Sequence, residues 1–138
     1  MIPLLSIDGR NLIVPNTFNR GLDIIQYSPY PSYVDSSATG RTEGYGQVLV
    51  RDPQSYFHNF EIVIAHSRTD NPEFVYFIQK HRELGQKEFI YLEHCDPLGY
   101  RMAQNAYYVI DKYDFVKFDD GFIYTSQITA RFIFERGW

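Results

Sequence analysis

The stretch that decides the fold is DNPEFVYFIQKHRELGQKEFIYLEH, residues 70–94. It begins with helix-start signals, because an Asx side chain can accept hydrogen bonds from the first free backbone N–H groups and Pro72 suits the first helical position. Side chains of one stripe then recur at three- and four-residue spacing. They are Phe74, Phe77, Ile78, His81 and Leu84. The spacing predicts a helix over about 72–84, with Glu73 pointing away from the stripe and Gly85 as a left-handed stop.

The rest of the chain favours strands. Residues 89–92, directly after the helix, are apolar and predict a strand buried on at least one face. Aromatic residues make up 17% of the 138 residues, with 12 Tyr and 11 Phe, which suits sheets better than helices. We therefore expect one domain over residues 1–138, mainly β with one α-helix (α+β). Its architecture would be a sandwich or barrel of antiparallel strands flanked by that helix.

Hydrophobic alternation and turn residues place the other strands. The predicted strands are 11–14, 22–26, 47–51, 57–66, 106–118 and 122–135, and a turn is expected at 52–55. Within 57–66, the better core face holds His58, Phe60, Ile62, Ile64 and His66. In the last strand, the buried face holds Ile128, Ala130, Phe132 and Phe134. Asp120-Gly121 between apolar strands predicts a hairpin that folds the last strand back on 107–118.

One segment has the composition of a loop. Residues 28–46 are rich in proline, glycine and serine and show no sustained period. Loops of this length in a compact domain are uncommon and are usually functional or disordered. We therefore expect 28–46 to be a long loop or arm.

Charge and cysteine content exclude several classes of protein. A net charge of −4 and a pI near 5.5 argue against general nucleic-acid binding, which normally requires a basic patch. Cys95 is the single cysteine, so no intramolecular disulfide can form, which favours synthesis in a reducing cytoplasm. The first residues lack the basic region of a signal peptide, and no run approaches the roughly 20 apolar residues of a membrane span. A soluble protein without a membrane partner is expected.

The usual catalytic and metal-binding patterns are not found in the sequence. The four histidines are His58, His66, His81 and His94, and no two of them lie four residues apart on a helix as zinc ligands would. His94 and Cys95 are adjacent on a strand and so point to opposite faces. Neither a nucleophile elbow nor a glycine-rich phosphate loop occurs. We therefore expect no metal, no cofactor and no catalytic residues.

An aromatic platform for single-stranded nucleic acid is a further pattern that the composition permits. Its members would be Tyr107, Tyr113, Phe115, Phe122 and Tyr124. Such platforms need surrounding positive charge. The nearby cations, Arg101, Lys112 and Lys117, are too few, so we expect no sequence-specific nucleic-acid partner.

Two segments have the composition of contact surfaces. The 28–46 segment combines large amphipathic tyrosines with glycine and serine, a mixture typical of interfaces. The chain also ends in a Trp, which could anchor a partner or close one end of the core. The expected assembly contacts are Tyr30, Tyr33, Arg41, Tyr45 and Trp138. The alternative for the loop is that its tyrosines fold down over the barrel.

The order of elements resembles a known family. Strands are followed by the helix PEFVYFIQKHRELG (72–85), the strand KEFIYL (87–92), the turn DPLG (96–99) and a terminal hairpin. This order, over roughly residues 44–135, resembles the tail-tube fold of bacteriophage tails. In particular it is similar to the ring-forming domain of distal tail and related baseplate proteins.

The resemblance implies a structural protein of the virion tail, synthesised in the host cytoplasm and without an active site. Copies of such domains assemble side by side into a ring, hexameric or of related symmetry, in which sheet edges of neighbours can join. Its partners would be itself and other tail proteins, and the 28–46 arm would order on contact with a neighbour. The chain lacks the second, carbohydrate-module-like domain of full-length distal tail proteins. Tube, collar, terminator and baseplate ring therefore remain alternatives.

Two other functions are compatible with the residues. The first is a small β-barrel module that binds glycan or peptide through the tyrosine-rich loop. The second is a small hydrolase with Cys95 as nucleophile, paired in space with a histidine. The ring predicts self-association, the module predicts a monomer with a concave aromatic site, and the hydrolase predicts an unusually acidic thiol.

Overall fold

A computed structural model describes residues 4–14, 20–35, 40–41, 49–50, 53–119 and 121–136. Their elements, in chain order, are β1 (Leu5–Ile7), β2 (Arg10–Asn11), β3 (Ile24–Asp35), β4 (Gly40–Arg41), β5 (Leu49–Val50), β6 (Pro53–Ile64), α1 (Pro72–Glu83), β7 (Ile90–Cys95), β8 (Arg101–Ile110), β9 (Phe115–Asp119), β10 (Phe122–Thr125) and β11 (Ile128–Phe134). The predicted class, mainly β with one helix, is confirmed.

Seven strands form one antiparallel sheet in the order β2-β1-β7-β8-β11-β6-β3. Two short ladders, β9 with β10 and β4 with β5, stand beside it. The predicted hairpin is confirmed, since Phe122 pairs with Asp119 and Gly121 has the positive φ of +79° that the turn requires. The last strand also folds back as expected, in two steps: β10 pairs with β9, and β11 pairs with β8.

The core lies on one face of the sheet, against the helix. The predicted core faces are buried at Phe60, Ile62 and Ile64 of β6 and at Ile128, Ala130 and Phe132 of β11. The prediction is wrong for His66, which lies beyond the end of β6 and is exposed, and Phe134 is partly buried. Other buried apolar side chains come from β1, α1, β7 and β8, and they include Leu5, Ile7, Phe74, Phe77, Ile90, Leu92, Ala106 and Tyr108. Because the apolar residues alternate along each strand, one face of the sheet is buried and the other faces solvent.

The helix begins where the sequence predicts. Asn71 is the N-cap and its Oδ1 accepts hydrogen bonds from the backbone N–H groups of Glu73 and Phe74, while Pro72 occupies the first turn. The expected left-handed stop at Gly85 is wrong. Leu84 stays right-handed, and its N–H and that of Gly85 bond back to carbonyls of the last turn, so the helix tightens at its end instead of reversing.

The prediction of a loop over 28–46 is wrong for its first part, because residues 28–35 belong to β3. Pro29 lies opposite Phe60 and Pro31 lies opposite His58 in the ladder with β6. The N–H of Ala65 bonds to the carbonyl of Asp23, so odd-numbered residues of β6 direct their backbone groups toward β3 and even-numbered ones away from it. The two prolines face even-numbered partners, so their missing N–H groups fall on the outer edge of the sheet, where no ladder bond is lost.

Two smaller expectations also differ from the structure. The turn predicted at 52–55 is replaced by strand from Pro53, because β3 continues far enough to pair with it. The long strand predicted over 106–118 is interrupted at 111–114, between β8 and β9. That break lets β9 leave the main sheet and pair with β10 alone.

The sheet curls until its two sides meet. The ring of Phe60 on β6 stacks on that of His94 on β7, with centroids 4.9 Å apart, although β8 and β11 lie between these strands in the sheet order. Tyr27, on the edge strand β3, donates its hydroxyl to the Leu4 carbonyl at 2.6 Å and accepts the Cys95 N–H at 2.8 Å. Side-chain hydrogen bonds of Tyr27 therefore join β3 to the β1–β7 side of the sheet.

The helix covers the rest of the curled face. The ring of Phe77 stacks on that of Tyr108 at 4.8 Å, and the Tyr108 hydroxyl donates to the Phe77 carbonyl. At the other side of the helix, the Tyr76 hydroxyl donates to the Ile7 carbonyl at 2.7 Å. Aromatic side chains with polar tips thus fix the helix to both β8 and β1.

Replacing Tyr27 with phenylalanine tests the hydrogen bonds that join β3 to the β1–β7 side of the sheet. We expect Tyr27→Phe to lower the free energy of unfolding by about 1–2 kcal/mol, because one hydroxyl serves both a backbone acceptor and a backbone donor. Tyr30→Phe on the same strand is the matched control, and its exposed side chain predicts a change under about 0.5 kcal/mol. Urea unfolding monitored by circular dichroism measures both variants. Equal losses of stability in the two variants would show that the Tyr27 hydroxyl does not stabilise the contact between β3 and the β1–β7 side of the sheet.

Candidate functional site

Two of the long strands extend past the rest of the sheet. β3 and β6 pair from Ile24 opposite Ile64 to Asp35 opposite Pro53, whereas β6 pairs with β11 only between Ile64 and Phe60. Residues 30–35 and 53–59 therefore form a two-stranded projection, which we call the β3–β6 ribbon. A two-stranded ribbon is at best marginally stable in water without a further layer or strand.

The ribbon and its base contain one charged residue, Asp35 at the end of β3. No Asp, Glu, Lys or Arg occurs from residue 24 to 34 or from 53 to 60, although such residues make up 22% of the chain. Exposed strand edges are normally protected by charges. The same segments are rich in tyrosine and serine, as contact surfaces are. Both properties make the ribbon the candidate assembly surface.

The structure places the expected assembly contacts in different positions. Tyr30 lies in β3 at the base of the ribbon with 44% of its surface exposed, and Tyr33 pairs with Tyr56 farther out. Arg41 lies in β4, opposite Leu49. Tyr45 and Trp138 are outside the described residues. The structure therefore brings Tyr30 and Tyr33 into the same ribbon.

A second feature is an open cleft of about 620 Å³ beside the start of the helix. Its walls are residues 13–14 and 20–24 on one side and 66–68 with Tyr124 on the other. His66 Nδ1 lies 2.8 Å from the Thr125 carbonyl oxygen. Because a carbonyl can only accept, Nδ1 carries the hydrogen and donates it. In a neutral ring, Nε2 is then a hydrogen-bond acceptor. The cleft has the size and the mixed lining of a small-ligand site.

Glu73, predicted to point away from the apolar stripe of the helix, bonds to Arg20 and Gly21, two residues that line this cleft. Its side chain is fully buried and accepts three sets of hydrogen bonds. Arg20 Nε and the backbone N–H of Gly21 bond to Oε1 at 2.8 and 2.7 Å, and Arg10 bonds to Oε2 at 2.8 Å. Burial raises the pKa of this carboxyl, and these donors more than offset that effect, so the pKa lies below its usual value.

The backbone of Gly21, which bonds to Glu73, has little conformational freedom. Asn71 donates its side-chain amide to the Gly21 carbonyl at 2.9 Å, so Gly21 is held through both its N–H and its C=O. Gly21 has φ +79°, and a Cβ there would lie 3.0 Å from Val14 Cγ2. Only glycine meets both conditions. Helix periodicity could not reveal this arrangement, because the partners of Glu73 come from about fifty residues earlier in the chain.

Cys95 and His94, considered above as chemical groups, both lie inside the protein. Cys95 is 5% exposed at the end of β7. The His94 ring is fully buried between those of Phe60 and Phe134, at centroid distances of 4.9 and 5.0 Å. Among the described residues, no three His, Cys, Asp or Glu side chains converge as metal ligands would. No helix in the described part of the chain is long and apolar enough to cross a membrane.

The aromatic residues considered for a platform are spread over several elements. Phe115 and Phe122 lie on the β9–β10 hairpin and are 55% and 38% exposed, whereas Tyr107 lies on β8. The Arg68 guanidinium sits 3.6 Å from the centre of the Phe122 ring and also pairs with Asp70. This arrangement fixes the hairpin against the segment that precedes the helix.

Comparison with known proteins finds no match: no family model, no curated protein and no solved structure is similar to this chain.

Neutralising Glu73 tests its structural role. We expect Glu73→Gln to lower the free energy of unfolding by about 2 kcal/mol, because the hydrogen bonds from three donors lose their charge assistance. The loss is limited because Arg10 and Arg20 are partly exposed and stay partly hydrated. Glu83→Gln is the matched control on the same helix. Its carboxylate is exposed and contacts only lysines among the pairs described, so a much smaller loss of stability than that of Glu73→Gln is expected. Urea unfolding at pH 7 distinguishes the two, and a Glu73→Gln variant as stable as Glu83→Gln would contradict the role.

The same pair of proteins predicts a pH dependence. Because the pKa of Glu73 is lowered in the folded state, its contribution is present at neutral pH and is lost as the pH falls through the folded-state pKa. Protonated Glu and Gln are both neutral, so the stability difference between wild type and Glu73→Gln should shrink between about pH 5 and pH 3. Unfolding curves across this range measure it. A difference that stays constant down to pH 3 would mean that the carboxylate charge contributes nothing.

Proposed function

We propose that this protein is a structural component of a bacteriophage tail that acts by assembling with copies of itself into a ring. The observation that carries the proposal is the β3–β6 ribbon, which is long, has Asp35 as its one Asp, Glu, Lys or Arg, and is two strands wide among the described strands. The element order that resembles the tail-tube fold supports the same class. In this proposal the protein is made in the host cytoplasm, becomes part of the virion, and carries out no chemical step.

The physical argument is that the ribbon needs a partner. Two paired strands without a packed layer gain little stability in water, because most of their side chains remain hydrated. The ribbon also carries a single charged residue, Asp35, whereas exposed edge strands are normally protected by several charges. Contact with a neighbouring subunit supplies both the missing layer and the burial. A ring is the natural outcome when each subunit uses one surface to bind a different surface of the next copy.

The cleft favours a second candidate, a module that binds a small ligand such as a glycan or a peptide end. Its volume of about 620 Å³ and its lining by His66, Arg68 and Tyr124 beside aliphatic residues are compatible with such a ligand. This function needs no self-association. Oligomeric state therefore separates the two candidates.

The test is the mass of the purified protein by light scattering after size exclusion, over a concentration series. We expect discrete oligomers that grow with concentration. Tyr30→Glu, which places a charge at the base of the ribbon, should raise the concentration needed for assembly at least about tenfold, since burying an unpaired charge is costly.

The matched control is Tyr91→Glu, on the exposed face of β7 and outside the ribbon. It adds the same charge at a site of similar exposure, so assembly should be unchanged. A strict monomer at every concentration would argue against the ring and favour the ligand-binding module. Equal effects of the two substitutions would show that assembly does not use the ribbon.

A further inference from the structure

The charged side chains that line the cleft beside the helix start are mainly cationic. Arg20 belongs to one wall and Arg68 to the other, and Asp23 is the one carboxylate among the described residues that line the cleft. The chain as a whole carries a net charge of −4. The lining of the cleft therefore has the opposite charge balance from the protein around it.

Arg20 is held at the cleft by Glu73. Its Nε bonds to Oε1 at 2.8 Å and its Nη2 bonds to Oε2 at 3.2 Å, so the carboxylate occupies one edge of the planar guanidinium. Nη1 is the corner opposite that edge, and it forms no hydrogen bond with a described residue. The Glu73 side chain is fully buried, whereas that of Arg20 is 49% exposed. The pair therefore turns Nη1 away from Glu73 and leaves its donors to a ligand.

Arg68 on the other wall is fixed in the same way. Its Nε and Nη2 bond to the two carboxylate oxygens of Asp70 at 2.9 and 2.7 Å. Its guanidinium also lies over the Phe122 ring, and its side chain is 13% exposed. These contacts order the guanidinium before a ligand arrives, which lowers the entropic cost of binding.

The carboxylates that pair with the two arginines are not part of the cleft lining. Neither Glu73 nor Asp70 is among the residues of its walls, so a ligand contacts the guanidinium groups first. An anion about 4 Å from a guanidinium and about 8 Å from the carboxylate behind it is attracted about twice as strongly as it is repelled. Among the described residues, Arg20 pairs with Glu73 and not with Asp23. The cleft thus favours an anionic group beside the guanidinium groups.

Much of the remaining lining is apolar. It consists of Ile13, Val14, Leu22 and Ile24 together with the rings of Tyr27 and Tyr124. The volume of about 620 Å³ is in the range of sites for small organic molecules and exceeds what an inorganic ion requires. The lining therefore suits a ligand that has an anionic group and an apolar body.

We infer that the cleft binds a small organic anion, with its carboxylate or phosphate group at Arg20 Nη1 and Arg68 and its apolar body against Leu22 and Ile24. The inference rests on the ligand-binding candidate given above and does not depend on self-assembly. Arg20 contacts the ligand, whereas Glu73 is a positioning residue that acts through Arg20.

Three probes with the same ring and different head groups test the inference: benzoate, phenyl phosphate and neutral benzamide. Each is titrated into isotope-labelled wild-type protein, and the NMR shifts of the Gly21, Leu22 and Ser67 amides report binding in the cleft. We expect at least one of the two anions to bind at least about tenfold more tightly than benzamide, because charge-assisted hydrogen bonds are stronger than neutral ones. The comparison of benzoate with phenyl phosphate shows which anionic group the cleft prefers.

Arg20→Gln tests the proposed contact, with Arg10→Gln as the matched control. Each substitution removes one arginine that bonds to Glu73 at 2.8 Å, but only Arg20 lines the cleft. We expect Arg20→Gln to lower the affinity for the anion to that for benzamide, and Arg10→Gln to leave it unchanged. Thermal unfolding verifies that both variants fold, and the comparison of the three probes in the wild type is decisive without either variant.

The outcomes separate the inference from the candidate on which it rests. Equal affinity for the anions and benzamide, or equal losses of anion affinity in the two variants, would overturn the inference and leave a ligand-binding cleft standing. No shift of the cleft amides with any of the three probes would overturn both.

Discussion

The buried carboxylate of Glu73 is the interaction on which the rest of the structure depends. A fully buried carboxylate is stable as an anion only if donors replace its water, and here Arg10, Arg20 and the backbone of Gly21 do so. These donors come from the first part of the chain, and the acceptor stands in the first turn of the helix. These hydrogen bonds hold the first turn of the helix against Arg10 of β2 and against Arg20 and Gly21. The stacking of Phe77 on the sheet follows from that placement.

The two ends of β6 have opposite character. Toward Ile64, polar groups are satisfied within the chain, by Glu73, by Asn71 and by the pairing of Ser67 with Thr125. Toward Pro53, β6 pairs with β3 on one side, and no described strand pairs with residues 53–59 on the other. This end of β6 is therefore the surface that the proposed assembly would use.

Local patterns in the sequence predict the helix start, the Asp-Gly hairpin and the buried faces of β6 and β11, because each depends on residues within a few positions of one another. The position of Glu73 could not be predicted in this way, since its donors lie about fifty residues away. Residues 28–35 were predicted as a loop because of their prolines, and this prediction is wrong for a related reason. A proline breaks a central strand but is tolerated on an edge, and which strand forms the edge is decided by the topology of the whole sheet. The closure by Tyr27 likewise depends on how far the sheet curls.

The two edges of the ribbon differ in how they are protected from pairing with another strand. Pro29 and Pro31 block the outer edge of β3, so this protein does protect strand edges from pairing. On the inner edge of β6, in contrast, no described strand pairs with Tyr56 or His58. If copies assemble as proposed above, the prolines of β3 leave one side of the ribbon for an added strand.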